Sequence, residues 1–252
     1  MKRVVVIPAR LNSSRLPNKV LLDLKGKTVL QRVFEQCLKV KNAEIYIATD
    51  SELIREKSLA FTKNVIMTKS THESGTERVV EAVSNIDCNI VVNVQGDEPF
   101  INPILIENLF DSLENDDVLM SSVMERIIEK EDLINPNSVK VITDDNENAL
   151  YFSRAVIPFV RNGIENILDE KGKISNKYKF YRHVGIYGYK KSFLTTYSEM
   201  NESTLEKLEK LEQLRVLENG IKIKMIRTNY KSLGIDTIED YNKALKLIKN
   251  GF

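Results

Sequence analysis

Three cations stand close together near the start of the chain, directly after an apolar run. Val4-Val5-Val6-Ile7 is almost purely β-branched and reads as a buried strand ending at Pro8, which cannot donate to a continuing ladder. Arg10, Arg15 and Lys19 follow in a loop that also carries Ser13, Ser14 and Pro17. Loops at the carboxyl ends of buried strands are where open α/β sheets bind ligands. Three fixed positive charges there suit a polyanion such as a nucleoside triphosphate; the alternative is a solvated basic loop. Asp97, in Val94-Gln95-Gly96-Asp97-Glu98-Pro99, follows a second β-branched run. A carboxylate beside a triphosphate would repel it unless a divalent cation lies between, and Mg²⁺ favours few protein carboxylates plus phosphate oxygens. The competing reading of Asp97 is an Asx turn. Asp236, in Gly234-Ile235-Asp236-Thr237, faces the same choice, and a turn with a helix cap is the commoner use of that sequence. Ser74-Gly75-Thr76-Glu77-Arg78 offers backbone donors and a guanidinium to an anion or base, or else plain capping by Ser74 with Arg78 in water. Arg154, His183, Glu212, Gln213 and Arg215 complete the polar candidates. Pattern alone makes His183 a structural histidine, and Glu212, Gln213 and Arg215 the wet face of a Leu-rich helix.

Composition removes several function classes. The 252 residues carry 37 basic and 36 acidic side chains, a net charge of +1. That balance gives no basis for a nucleic-acid or anionic-membrane surface, so any electrostatic role must be local. Cys37 and Cys88 have no metal-ligand spacing and suggest a reducing compartment. No apolar run reaches spanning length and the N-terminus opens on a strand rather than a leader, so a soluble cytoplasmic protein is expected. The ten glycines never form G-x-G-x-x-G and none lies in the first loop, which removes the dinucleotide fingerprint and the Walker cradle. His72-Glu73 has no second histidine one turn on, which removes the zincin helix. What remains is a Mg²⁺-dependent nucleotide-binding α/β enzyme.

The elements that must hold these residues alternate. Residues 4–7, 44–48, 65–67 and 90–94 read as strands; helices are expected from Val29 to Leu38 capped by Thr28, from Ser51 to Ala60, and from Thr76 to Val83. This alternation predicts right-handed crossovers and a mainly parallel, doubly wound sheet. The second half is less regular. A helix is expected over 103–113, a strand over 119–124, a hairpin over 139–152, an exposed excursion over 162–179 and a strand over 183–189. A capping box at Ser203-Thr204-Leu205-Glu206 opens a helix running to Gly220 with Leu205, Leu208, Leu211 and Leu214 as its core stripe. A strand over 221–226 and a terminal helix capped by Thr237 finish the chain. With no repeat or linker, residues 1–252 read as one domain.

Several blocks together resemble the 3-deoxy-manno-octulosonate cytidylyltransferase (CMP-Kdo synthetase) family. They are Pro8-Ala9-Arg10 with Ser14-Arg15-Leu16-Pro17 and Lys19, residues 74–78, Asn93 to Pro99, Tyr151-Phe152-Ser153-Arg154, His183-Val184-Gly185-Ile186-Tyr187-Gly188-Tyr189, Leu211-Glu212-Gln213-Leu214-Arg215, and residues 234–237. They occur in family order over nearly the whole chain. The resemblance implies a nucleotide-diphospho-sugar transferase-like fold and transfer of CMP from CTP to the acidic sugar Kdo, for lipopolysaccharide. It also implies a homodimer. It makes Asp97 and Asp236 ligands of a Mg²⁺ and, with Lys19, the catalytic set. Ala9, Arg10, Arg15, Lys19, Ser74, Gly75, Arg78 and Gln95 would bind CTP. Arg154, His183, Tyr187, Glu212 and Gln213 would receive the sugar. The family's frequent tryptophan and acidic residues after Ile157-Pro158 are replaced by Phe159-Val160-Arg161-Asn162, and its proline in the Ser-Pro-Leu-Glu block by Thr204. These departures leave 8-amino-Kdo or another acidic sugar as the alternative acceptor.

Overall fold

The computed structural model describes residues 1–11, 15–231 and 233–249. Ser13 and Ser14 of the first loop lie outside the described residues. Strands β1 (Arg3–Ala9), β2 (Ala43–Thr49), β3 (Val65–Met67) and β4 (Ile90–Asn93) alternate with helices α1 (Val29–Cys37), α2 (Glu52–Ser58) and α3 (Gly75–Val83). Then come α4 (Pro103–Ser112), β5 (Met120–Ile127), α5 (Lys130–Ile134), β6 (Lys140–Thr143), β7 (Ala149–Ser153), β8 (Phe180–Lys190) and α6 (Lys191–Glu199). The chain closes with α7 (Thr204–Glu209), α8 (Gln213–Glu218), β9 (Ile223–Thr228) and α9 (Ile238–Lys249). The sheet order is β3-β2-β1-β4-β8-β5-β9, with the β6–β7 hairpin set against β8. Thr28, Ser51, Ser74 and Ser203 each accept from the N–H three residues on, so the short hydroxyl residues start the helices as their spacing predicts.

The β3-β2-β1-β4 half is parallel, and β5 and β9 are parallel to each other, which makes the central path the mainly parallel α/β sheet expected. Strand β8 runs antiparallel between β4 and β5. Reversal has a consequence for the site. The carboxyl ends of β1 and β4 define one edge, and an antiparallel β8 brings its beginning, not its end, to that edge. Strand β1 is buried on both faces: Val5 and Ile7 join the core under α1 and α4, while Val4 and Val6 join the core under α3 and α6. A smaller cluster of Leu24, Val29, Phe100, Ile235 and Ala244 pins α9 and the loop before it to the first loop.

Four expectations need correction. Strand β1 does not stop at Pro8; it pairs with β2 through Ala9. The Val6 carbonyl accepts from Val94 at 3.0 Å, so Pro8, two residues on, turns its missing N–H to the same β4 side, where the ladder has already ended at Asn93. The excursion over 162–179 is not simply exposed. Ile167 and Ile174 are buried with Ile127, Leu133 and Phe180, and these isolated anchors leave no periodicity to read. The helix expected over 203–220 is two helices, broken at Lys210 in the left-handed region (φ 53°). Leu208 is consequently 77% exposed, whereas Gln213 and Arg215, expected on the wet face, are buried, as is Glu206 of the capping box. Helix α6 was not anticipated; Phe193, Leu194 and Tyr197 are its buried face.

Candidate active site

The edge formed by β1 and β4 opens into a cavity lined by Pro8, Ala9, Arg10, His72, Ser74, Gly75, Arg78 and Gln95. Six of the eight residues expected to bind CTP therefore share one wall. Gly75 opens α3 against this wall. A Cβ there would come 3.3 Å from Gln95 Nε2 and 3.5 Å from Pro8 Cγ, so the helix start approaches the strands only because the residue is small. Ser74 does cap α3, accepting from Glu77 N–H at 3.2 Å, and lines the cavity as well. Arg78 is not solvated: it is buried, with Nη2 on Asp50 at 3.1 Å and Nη1 on Thr68 at 2.5 Å. A second cavity shares Arg10, His72 and Arg78 and extends to Asp50, Ser51 and Ser70.

Lys19 connects the two aspartates. Its ammonium bonds the Asp97 carboxylate and also Asp236 Oδ1 at 2.7 Å, while Arg15 Nη2 reaches Asp236 Oδ2 at 3.1 Å. Burial opposes the charge on Lys19, but the two carboxylates outweigh it and hold its pKa above the ordinary value. Asp236 also precedes a genuine cap, since Thr237 Oγ1 accepts from Asp240 N–H at 3.2 Å. Two carboxylates that converge on one cation form an all-oxygen donor set, which suits a hard divalent ion completed by phosphate oxygens. Among the described residues no group of three or more His, Cys, Asp or Glu side chains gathers into a protein-only metal cage.

Glu98 was missed at the level of sequence. Burial, then the neighbouring Asp97, push its carboxyl up to about 8, and a Cβ on Gly234 would meet its Oε1 at 2.8 Å. The available signal was an acid flanked by Asp97 and Pro99 at the end of a fully buried strand. His72 was weighed only as a metalloprotease ligand, and its place in the cavity follows from the loop before α3.

Of the residues expected to receive the sugar, His183, Tyr187, Glu212 and Gln213 gather where β8 reaches the same edge. Tyr187 lies opposite Asn93 in the β4–β8 register, and its hydroxyl donates to Gln213 Oε1 at 3.1 Å. His183 Nε2 lies 2.8 Å from Ser122 Oγ, which donates to the Ile186 carbonyl at 2.8 Å, so the ring nitrogen is the donor. Burial pushes the pKa of His183 down to about 3, leaving the ring neutral. Burial raises the Glu212 carboxyl against opposing hydrogen bonds from Ser74 and Thr76, which places Glu212 beside the cavity wall. Arg154 is turned elsewhere: its guanidinium donates to the carbonyls of Glu209 at 2.7 Å and Pro136 at 3.2 Å. Among the described residues, Asn93 Nδ2, Glu98 Oε2, Glu212 Oε2 and Gln213 Nε2 are buried without a hydrogen-bond partner. A buried polar atom costs free energy until something pairs with it, and four at one edge point to a polar ligand.

Comparison with known proteins agrees with this geometry. Residues 4–223 match the family model described as Cytidylyltransferase. A 3-deoxy-manno-octulosonate cytidylyltransferase of Francisella tularensis subsp. holarctica is 48% identical over 252 residues, covering 96% of this chain and 97% of the relative. This chain belongs to the 3-deoxy-manno-octulosonate cytidylyltransferase family. The family member from Trichlorobacter lovleyi is 42% identical with both chains fully covered. A solved CMP:2-keto-3-deoxy-manno-octonic acid synthetase complexed with CTP superposes with a TM-score of 0.90 at 36% identity, covering 100% of each chain. The 4-diphosphocytidyl-2C-methyl-D-erythritol synthase of Anaerococcus prevotii, at 16% identity and a TM-score of 0.61, shares the fold.

Proposed function

We propose that this chain transfers CMP from CTP to the anomeric hydroxyl of Kdo, releasing pyrophosphate, the activity for which its relatives are named. The observation that carries this reading is the convergence of Asp97 and Asp236 on Lys19 beside a cavity lined by Ala9, Arg10, Ser74, Gly75, Arg78 and Gln95. In the reaction the hydroxyl oxygen bonds to the α-phosphorus as the bond to the pyrophosphate breaks in line. Arg10, Arg15 and Lys19 bind the triphosphate and take up charge on the leaving pyrophosphate. Asp97 and Asp236 would hold Mg²⁺, which lowers the hydroxyl's pKa and neutralises charge on the phosphoryl oxygens. The Ser74–Gly75 helix start and Gln95 shape the base pocket. His183, Tyr187, Glu212 and Gln213 orient the sugar, with the unpartnered Glu212 Oε2 and Gln213 Nε2 available to its hydroxyls.

No helix among the described residues is long and apolar enough to cross a membrane. We infer a cytoplasmic enzyme that prepares Kdo for lipopolysaccharide. The reading includes a homodimer, for which exposed Phe159 (83%) and Leu150 (58%) in the second half supply apolar surface. Light scattering reads that state directly. The central experiment is pyrophosphate release from each of the four nucleoside triphosphates with Kdo, 8-amino-Kdo and a sialic acid, with and without chelator. Release with CTP and Kdo, abolished by chelator, is expected. Release only with 8-amino-Kdo or sialic acid overturns the sugar, and chelator-insensitive release overturns the metal.

A further inference from the structure

The reaction outlined above leaves His72 unused, although its ring lines both cavities and its side chain is only 16% exposed. Its Nε2 pairs with Glu81 Oε2, on α3 and outside both cavity walls. Glu81 Oε2 also accepts from the Lys69 N–H at 2.9 Å. Burial pushes the Glu81 carboxyl up, but the bonds from His72 and Lys69 together outweigh it and keep it below the usual carboxylate range. An ionised carboxylate can only accept, so Nε2 must carry a hydrogen. Fixing one nitrogen fixes the other: in the neutral ring Nδ1 is left as an acceptor, the imidazole's one remaining hydrogen-bonding atom.

The charged side chains in the rest of the wall supply only donors. Arg10 and Arg78 have no acceptor, and Gln95 is turned to Asn93, to which it donates at 3.2 Å, and to Gly75. Cytosine and uracil differ at the 4-position of the ring. Cytosine carries an amine that donates; uracil carries a carbonyl that accepts. An acceptor held in place in the wall distinguishes the two, because uracil would set oxygen lone pairs against the Nδ1 lone pair and leave both unpaired.

We propose that His72, oriented by Glu81, is a specificity-determining residue that accepts a hydrogen bond from the exocyclic amine of cytosine and so rejects uracil. This rests on the reading that the cavity holds the base of CTP. A site built to bond a substrate N–H discriminates strongly against an analogue that lacks it, since its own polar atom is then left unpaired. Glu81 is the positioning residue: it touches no substrate and acts through the tautomer it enforces.

The test compares kcat/KM for CTP and UTP, with Kdo saturating, in wild type, His72→Leu and Glu81→Leu at pH 8. His72→Leu should lower the CTP/UTP ratio about tenfold or more, the worth of one hydrogen bond and one avoided repulsion. Glu81→Leu takes away the acceptor that holds the hydrogen on Nε2, which frees Nδ1 to carry it and meet the uracil carbonyl. That variant should also lose discrimination, with kcat/KM for UTP rising in absolute terms. A merely structural role for Glu81 would depress both nucleotides together and leave the ratio unmoved. The Glu81 side chain is 32% exposed, so Glu81→Leu keeps the question open to measurement if His72→Leu does not fold. An unchanged ratio in both variants overturns the proposal while leaving the parent reading intact. A wild type that shows no preference for CTP overturns the assignment of the cavity, and this proposal with it.

Discussion

The backbone N–H of Ile235 donates to the carbonyl of Asp97 at 2.9 Å. This bond joins two loops that are remote in sequence, one leaving β4 and one entering α9, and it sets the carboxylates of Asp97 and Asp236 around the Lys19 ammonium. Ile235 is fully buried with Leu24, Val29 and Phe100, so the loop is anchored by packing as well as by the bond. The distance between the two carboxylates is therefore a property of the fold rather than of a flexible loop.

Gly234→Ala tests that anchoring. The new Cβ would stand 2.8 Å from Glu98 Oε1 and 3.3 Å from its Cδ, so the two groups cannot both keep their places. Overpacking of this kind costs about 1–3 kcal/mol, visible as a lower Tm. Turnover should fall as well, because any shift of the Gly234 backbone away from Glu98 displaces Asp236, two residues on. Adding Glu98→Ala removes the clashing group, so the double variant should be less destabilised than the sum of the single changes. Additive effects would show that the two side chains do not meet.

Asp97→Asn separates binding from chemistry. In the proposed reading Arg10, Arg15 and Lys19 grip the triphosphate, so affinity for CTP, measured by calorimetry, should change little. Turnover should fall by roughly 10²- to 10³-fold, the scale of losing one preorganised electrostatic contact to the transition state. Near-normal turnover at saturating Mg²⁺ would remove Asp97 from the metal site.

How much of this was legible depended on whether the signal was local. Val4–Ile7 and Ile90–Val92 are β-branched because both of their faces are covered, and that pattern survives without coordinates. Asp97 was visible because it comes straight after such a strand. Asp236 was ambiguous on pattern because its sequence is also a helix start, and both readings are true: Thr237 caps α9 while Asp236 meets Lys19. Arg215 and Gln213 were misplaced because a straight helix was assumed, and nothing around Lys210 marks a left-handed residue. His183 could be placed on a strand, but its arrival at the ligand edge depends on β8 running antiparallel, which is decided by distant partners. The resemblance to a known family supplied what periodicity could not.

The broken helix makes its own prediction. Arg215 donates to Glu206 through Nε at 2.7 Å and Nη2 at 2.6 Å, with both side chains about nine-tenths buried and Tyr197 packed on the guanidinium. Arg215→Met would leave the Glu206 carboxylate buried and unpaired, at a cost of about 3–5 kcal/mol. Glu206→Leu combined with Arg215→Met should recover most of that loss in denaturant unfolding, because the ion then has no partner to miss. The single variant should also raise KM for the sugar more than for CTP, since the turn between α7 and α8 carries Glu212 and α8 opens on Gln213. Equal effects on both substrates would detach this turn from the sugar.

His183 gives a pH signature with a definite sign. Burial holds its pKa near 3 in the folded chain, whereas an unfolded histidine titrates near 6.5. Between those values the unfolded state binds a proton that the folded state refuses. The contribution of His183 to stability is therefore complete above about pH 6.5 and is lost progressively as pH falls toward 3. His183→Gln keeps an amide donor for Ser122 but cannot titrate. The Tm of wild type minus that of the variant should therefore shrink steadily from pH 7 to pH 4, whatever the other carboxylates do, because they are common to both proteins. A difference that stays constant over that range would mean that the ring takes up a proton as readily in the fold as in water.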